Sequence, residues 1–191
     1  MIKNKRRGAD SIVVGFAGKI GSGKSTLSSE LAKRINWDRV SFGNYVRSLA
    51  EKRGLRQTRE ILQQLGAQMV NDDCESFCRG FLAYAGWKAG LPLVIDGIRH
   101  ERVLSTLRDL MKPARLWLVF IDVDENVLKQ RRSSRDSALK SDYIEVEKHS
   151  TEVEVDAILK GVADFQVDGR EPVQANVDRI LDWLRQLPAV L

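Results

Sequence analysis

The stretch "GFAGKIGSGKST", residues 15 to 26, follows the apolar run "SIVV" at 11 to 14 and leads into "STLSSELAKRI" at 25 to 35. Glycine-dense and lysine-bearing, such a loop is poor core material, whereas the segments around it are good elements. Residues 11 to 17 read as a buried strand, continuous, β-branched and closed by glycine. Beyond the loop, Leu27, Leu31 and Ile35 recur at helical spacing, so a helix begins at the serine and threonine. Gly18, Gly23, Lys24 and Ser25 satisfy the pattern GxxxxGK[ST] between strand and helix. There, backbone N–H groups and a helix N-terminus surround nucleotide phosphates. Glycine is required where a side chain would block the approach or where φ must be positive. Lys24 is expected to reach the β- and γ-phosphates and the Ser25 hydroxyl to bind Mg²⁺, with Gly21 and Ser22 in the cradle and Thr26 at the α-phosphate.

Working outward, "DRVSF" at 38 to 42 is a short second strand, "LPLVIDG" a third ending in Asp96, and "RLWLVFIDV" a fourth ending in Asp122. "ADFQVDG" at 163 to 169 is the fifth, and "VQANVDRILDWLRQL" closes as a helix with Val177, Ile180, Leu181 and Leu184 inward. Apolar strands alternating with helices predict an α/β fold with a mostly parallel sheet covered on both faces. The stretch from 44 to about 90 reads as helices broken near Gly54 and Gly66. Asp96, at a strand's carboxyl end, is the expected acidic partner of the metal. Asp122 is its rival, but the following "DVDENVL" gives that aspartate a helix-capping purpose.

The chain has 191 residues, 43% hydrophobic, and a net charge of +5, which suits one domain with an attraction for anions. Cys74 and Cys78 lack further ligands for a metal site and read as reduced, buried thiols. No apolar run reaches membrane-spanning length, and the basic start "MIKNKRRGAD" is unlike a secretory signal, so a cytoplasmic setting is expected. The tryptophans at 37, 87, 117 and 183 read as packing residues. A guanine-reading NKxD signature is missing, which argues against a GTPase, and the chain is short for a motor or an AAA machine.

"GKIGSGKST", "SFGNYVR", "VIDGIR", "RRSSRDS" and "VDGREPV" occur in an order and spacing that resembles the nucleoside monophosphate kinase group of P-loop kinases. The likeness covers nearly the whole chain. It is strongest to adenylate-kinase-like and deoxynucleoside-monophosphate-kinase-like members, through "TREILQQLGAQMV" as well, with dephospho-CoA kinase a more distant relative. The resemblance implies a three-layer P-loop NTPase fold with strand order 2-3-1-4-5. The core would comprise 10–43, 91–129 and 144–191, with an acceptor-binding insert at 44–90 and a short lid at 130–143, both closing on the substrates. It also implies ATP- and Mg²⁺-dependent phosphoryl transfer to a nucleoside or deoxynucleoside monophosphate.

Transfer of a phosphoryl group needs positive charge over the migrating group and an aligned acceptor. Arg47, one turn into the helix after the second strand, is expected to meet the acceptor phosphate, and Arg99 matches the family's corner arginine gripping it from the other side. Asp96 stands beside them. Guanidinium suits such sites because its planar fork binds two oxygens and keeps its charge. Arg131, Arg132 and Arg135 fall where the family places the lid, with Arg131 and Arg135 able to point together at the phosphates. Gly169 matches the loop that lies against adenine. Asn44 stands where kinases of sugar hydroxyls carry an aspartate base; an acceptor already ionised needs none. Asp72 or Asp73 folding back into the site would weaken that argument. His149 and Glu152, in "EKHSTE", touch the base, order the lid or lie on the surface. Small-molecule nucleotides are the expected partners, without membrane or nucleic acid, in a monomer or homodimer. A dephospho-CoA-like kinase and an ATP-binding regulatory module using "KNKRR" are the alternatives.

Overall fold

A computed structural model describes residues 11–135 and 158–187, without the side chains of 132–135. The basic start, most of the expected lid, His149 and Glu152 lie outside the described residues.

The described chain forms five strands and six helices. In order they are β1 (Ile12–Ala17), α1 (Lys24–Ile35), β2 (Asp38–Ser41), α2 (Phe42–Lys52), α3 (Arg59–Tyr84), β3 (Leu93–Asp96), α4 (Glu101–Leu110), β4 (Arg115–Asp122), α5 (Glu125–Arg135), β5 (Phe165–Asp168) and α6 (Val173–Gln186). All strands are parallel and their order is β2-β3-β1-β4-β5. This is the three-layer P-loop arrangement expected from the sequence.

Because side chains alternate along a strand, each strand serves two cores. On one face Val13, Ala17, Leu93, Ile95, Leu118 and Phe120 pack under α2, α3 and α4. On the other, Val14, Phe16, Val94, Val119 and Ile121 pack under Leu27 and Leu31 of α1 and Val177 and Ile180 of α6. Burial on both faces is why the strands read as continuous apolar runs. Trp183 of α6 stacks on Phe165 and meets Trp117 edge-on, which gives those rings the packing role expected of them.

The helices between β2 and β3 share one apolar cluster with the sheet. Phe42 of α2 stacks on Phe81 of α3, with ring centroids 3.7 Å apart, and Phe77 and Tyr45 close the group. The expected break at Gly54 is present, since α2 ends just before it and Gly54 takes φ 64°. The expected break at Gly66 is not. Gly66 lies inside α3, where a β-carbon would stand in ordinary contact with Val46, 3.7 Å away. The interruption sits instead at Asp73, whose φ of −155° and ψ of 92° leave the helical region. Its carboxylate accepts from the Ser76 N–H at 2.9 Å and the Ser76 hydroxyl at 2.7 Å, capping the second half of the helix.

Candidate active site

Parallel strands bring their carboxyl ends to one edge of the sheet, and the candidate site is built there. The loop between β1 and α1 carries Gly18, Gly21 and Gly23 at φ 143°, 90° and 95°. These are left-handed conformations that side-chain-bearing residues rarely adopt. A β-carbon on Gly18 would lie 2.8 Å from the Ile121 carbonyl, whereas one on Gly23 would meet nothing within 4 Å. Gly23 therefore borders open space. It is also the N-cap of α1, without a side-chain cap and without acidic residues in the first turn. The first N–H groups of α1 thus point into the loop with no side-chain carboxylate of that turn to meet them, an anion-binding arrangement. Ser22 is buried, and Thr26 is exposed at the mouth.

Lys24 is 7% exposed and its Nζ donates to the Lys19 carbonyl at 2.8 Å, so the ammonium is folded along the loop. Ser25 donates its hydroxyl proton to Asp96 Oδ2 at 2.8 Å. Asp96 ends β3, in register with Phe16 and Ser41, and is 2% exposed. Its Oδ1 is buried and finds no partner among the described residues. Asp122, the rival, accepts from Lys160 Nζ at 2.8 Å and is held in a surface ion pair away from the loop serine. Oxygen donors of this kind suit Mg²⁺, and a buried carboxylate oxygen left unpaired beside a serine hydroxyl fits a hydrated cation.

One cavity of about 560 Å³ joins these groups to the arginines of other elements. Lys24, Ser25 and Asp96 line it, and so do Arg47 and Arg99. Arg99 sits in the turn after β3, where the Gly97 and Ile98 N–H groups both donate to the Phe16 carbonyl. That tie fixes the turn against β1. Arg47 donates to Asn44 Oδ1 at 2.9 Å, so Asn44, also on the cavity, orients the arginine. Asp72 and Asp73 do not line the cavity, and Asp73 is spent on its cap.

Polar residues that line the same cavity and were missed in the sequence include Arg39, Arg59, Gln63 and His100. Gln63 has a buried Nε2 without a partner among the described residues. The signal available was the helical spacing of Arg59, Gln63 and Ala67, which puts them on one side of α3.

Gly169, in the turn after β5, donates its N–H to the Asp122 carbonyl at 2.8 Å and accepts from Arg131 Nη2 at 2.8 Å. A β-carbon there would fall on Val123 Cγ2 and stand 2.9 Å from the Ser22 carbonyl, so this turn presses directly on the glycine loop. Arg131 is thereby placed beside the loop, while Arg135 ends α5 with its side chain outside the described set.

Comparison with known proteins agrees with this geometry. A family model described as "AAA domain" matches residues 14–154. Cytidylate kinase from Haloarcula marismortui is 32% identical over 112 residues, a match spanning 49% of this chain and 58% of that protein. The chain thus covers less than two thirds of this curated relative. Shikimate kinase from Aquifex aeolicus superposes with a TM-score of 0.53 at 21% identity, covering 91% of this chain and 96% of that one. A sugar kinase from Janibacter gives 0.57 at 20% identity, covering 94% and 97%, and a gluconokinase from Sinorhizobium meliloti 0.57 at 19%, covering 94% and 98%. Length argued against an AAA machine, yet the AAA domain description attaches to most of the chain, and these structures share its fold. Glycine loop, strand order and matched span converge: the chain belongs to the AAA domain family, as a P-loop kinase-like protein.

Proposed function

We propose that the protein transfers the γ-phosphoryl group of ATP to the phosphate of a nucleoside or deoxynucleoside monophosphate, giving the diphosphate and ADP. The observation that carries this reading is that Lys24, Ser25 and Asp96 and the guanidinium-bearing Arg47 and Arg99 all border one cavity. A phosphate cradle facing two guanidinium groups is suited to two anions held end to end.

In this reading the loop N–H groups and Lys24 hold the β- and γ-phosphates, the ammonium leaving the Lys19 carbonyl to do so. Ser25 and Asp96 would hold Mg²⁺, which supplies charge neutralisation at the β- and γ-oxygens when bound. Arg47 and Arg99 fix the acceptor phosphate so that one of its oxygens lies in line with the γ-phosphorus. That oxygen forms the new P–O bond as the bond to the ADP oxygen breaks. No base is needed, because a phosphate monoester with a second pKa of about 6 is already largely ionised near neutral pH. Asn44 fits this: it is neutral and serves Arg47. Arg131 and Arg135 add positive charge from the α5 side, and Gly169 with its turn borders the adenine. The cytidylate kinase relative supports a monophosphate acceptor.

The test is ADP release across the eight common nucleoside monophosphates, with dephospho-CoA, shikimate and gluconate as competing acceptors. Acceptor-dependent turnover with at least one monophosphate is expected, abolished by Lys24→Ala. Turnover confined to a hydroxyl acceptor, or nucleotide binding without any acceptor-dependent ADP release, overturns the proposal.

A further inference from the structure

Arg39 is the second residue of β2, in register with Val94 of β3, and so lies on the sheet face covered by α1. Its Nε donates to the Ser28 hydroxyl of α1 at 2.8 Å. Its Nη2 donates to Asp96 Oδ2 at 2.5 Å. Ser25 donates to that same oxygen, so Oδ2 receives two donors while Oδ1 stays buried and unpaired among the described residues. The Arg39 side chain is 24% exposed and borders the cavity.

A carboxylate at the end of a strand turns easily about its last bond, and either oxygen can then face a ligand. Here the turn is blocked. Arg39 is anchored at Ser28 through one nitrogen and grips Asp96 through another, which a planar guanidinium does and a lysine ammonium, a single point charge, does not. We propose that Arg39 is a positioning residue for the metal carboxylate. It occupies Oδ2 together with the Ser25 hydroxyl, so that Oδ1 is the carboxylate oxygen that would be left to hold Mg²⁺. This rests on reading Ser25 and Asp96 as the metal pair.

Two effects oppose each other. A cation beside the site repels the metal, and a fixed ligand geometry favours it. Partners that orient metal ligands typically alter metal affinity by about 10–100-fold, so orientation is taken to dominate.

The experiment measures Mn²⁺ binding to the protein–ADP complex by electron paramagnetic resonance, together with ADP binding in EDTA. Arg39→Met is expected to weaken Mn²⁺ binding at least about tenfold, leave ADP affinity in EDTA unchanged, and be only partly rescued in Arg39→Lys. Unchanged Mn²⁺ affinity overturns the proposal. Tighter Mn²⁺ binding also overturns it, making Arg39 a competing cation, as does a parallel loss of ADP affinity in EDTA, making it a phosphate contact. Should Arg39→Met not fold, Ser28→Ala removes the Nε anchor, together with the longer bond from the Ser28 hydroxyl to the Ser25 carbonyl at 3.3 Å. It must then weaken Mn²⁺ binding, and parent-like affinity refutes the idea. Only ADP and metal are used, so the result stands apart from the acceptor assay.

Discussion

A methyl group added to Gly169 would fall on Val123 Cγ2 and stand 2.8 Å from Ile121 Cγ2. Gly169→Ala is expected to cost about 1–3 kcal/mol through overpacking and to weaken ADP binding, since the turn leans on the glycine loop. Thermal melts with and without ADP read both effects. The Cys78 thiol is pushed up by burial first and by the neighbouring Cys74 second. Both cysteines are buried and free, so neither should react with a thiol reagent at pH 8 until denaturant is added, when both should. Asp168 is held down to about 2, chiefly by the Arg170 side chain and then by its N–H. A carboxylate below its ordinary value of about 3.9 stabilises the fold above that pH and loses its contribution as pH falls toward 2. Asp168→Asn should flatten that part of an acid-melting profile. At this scale the placement of Lys24, Ser25 and Asp96 on one cavity was legible in the sequence, because a loop motif and a strand end fix their positions. The sequence did not reveal Arg39, whose partner Asp96 is 57 residues away and whose role depends on the strand face it occupies.

Among the elements, the ends of β1, β3, β4 and β5 were legible because each run stops at an aspartate or just before a glycine, whereas β2 passes from Ser41 straight into α2 at Phe42, which had read as strand. The kink in α3 was not legible either. A glycine inside a helix costs only about 1 kcal/mol, so Gly66 stays helical, whereas Asp73 has a carboxylate that can compete for backbone N–H groups and does so at Ser76. Asp73→Ala should lower the melting temperature by about 2–4 °C, while Asp73→Asn, still able to cap, should change it little. The Asp73 carboxyl is held below its ordinary range by its bonds to the Ser76 N–H and hydroxyl. The capping benefit therefore persists above its unfolded pKa and fades in acid, a dependence the asparagine variant should lack.

Across the whole molecule, the proposed acceptor grip is assembled from parts that are distant in sequence: Arg47 from α2 and Arg99 from the turn after β3. A charge-assisted hydrogen bond to phosphate is worth about 1.5–3 kcal/mol, so Arg47→Ala and Arg99→Ala should each lower kcat/KM for the acceptor roughly 10–100-fold. The KM for ATP should stay near the parent value, as two-substrate kinetics would show. The glycine motif made the loop readable and the family resemblance implied the sheet order, but the cavity wall required the packing of α2 on α3. That packing also joins the helices between β2 and β3 to the sheet. Phe42, Phe77 and Phe81 belong to the same apolar cluster as Val13, Leu93 and Ile95 of the sheet. Each ring withdrawn from this cluster would forfeit about 1.5–3 kcal/mol, so any displacement of the wall bearing Arg47 that parts these rings carries that cost.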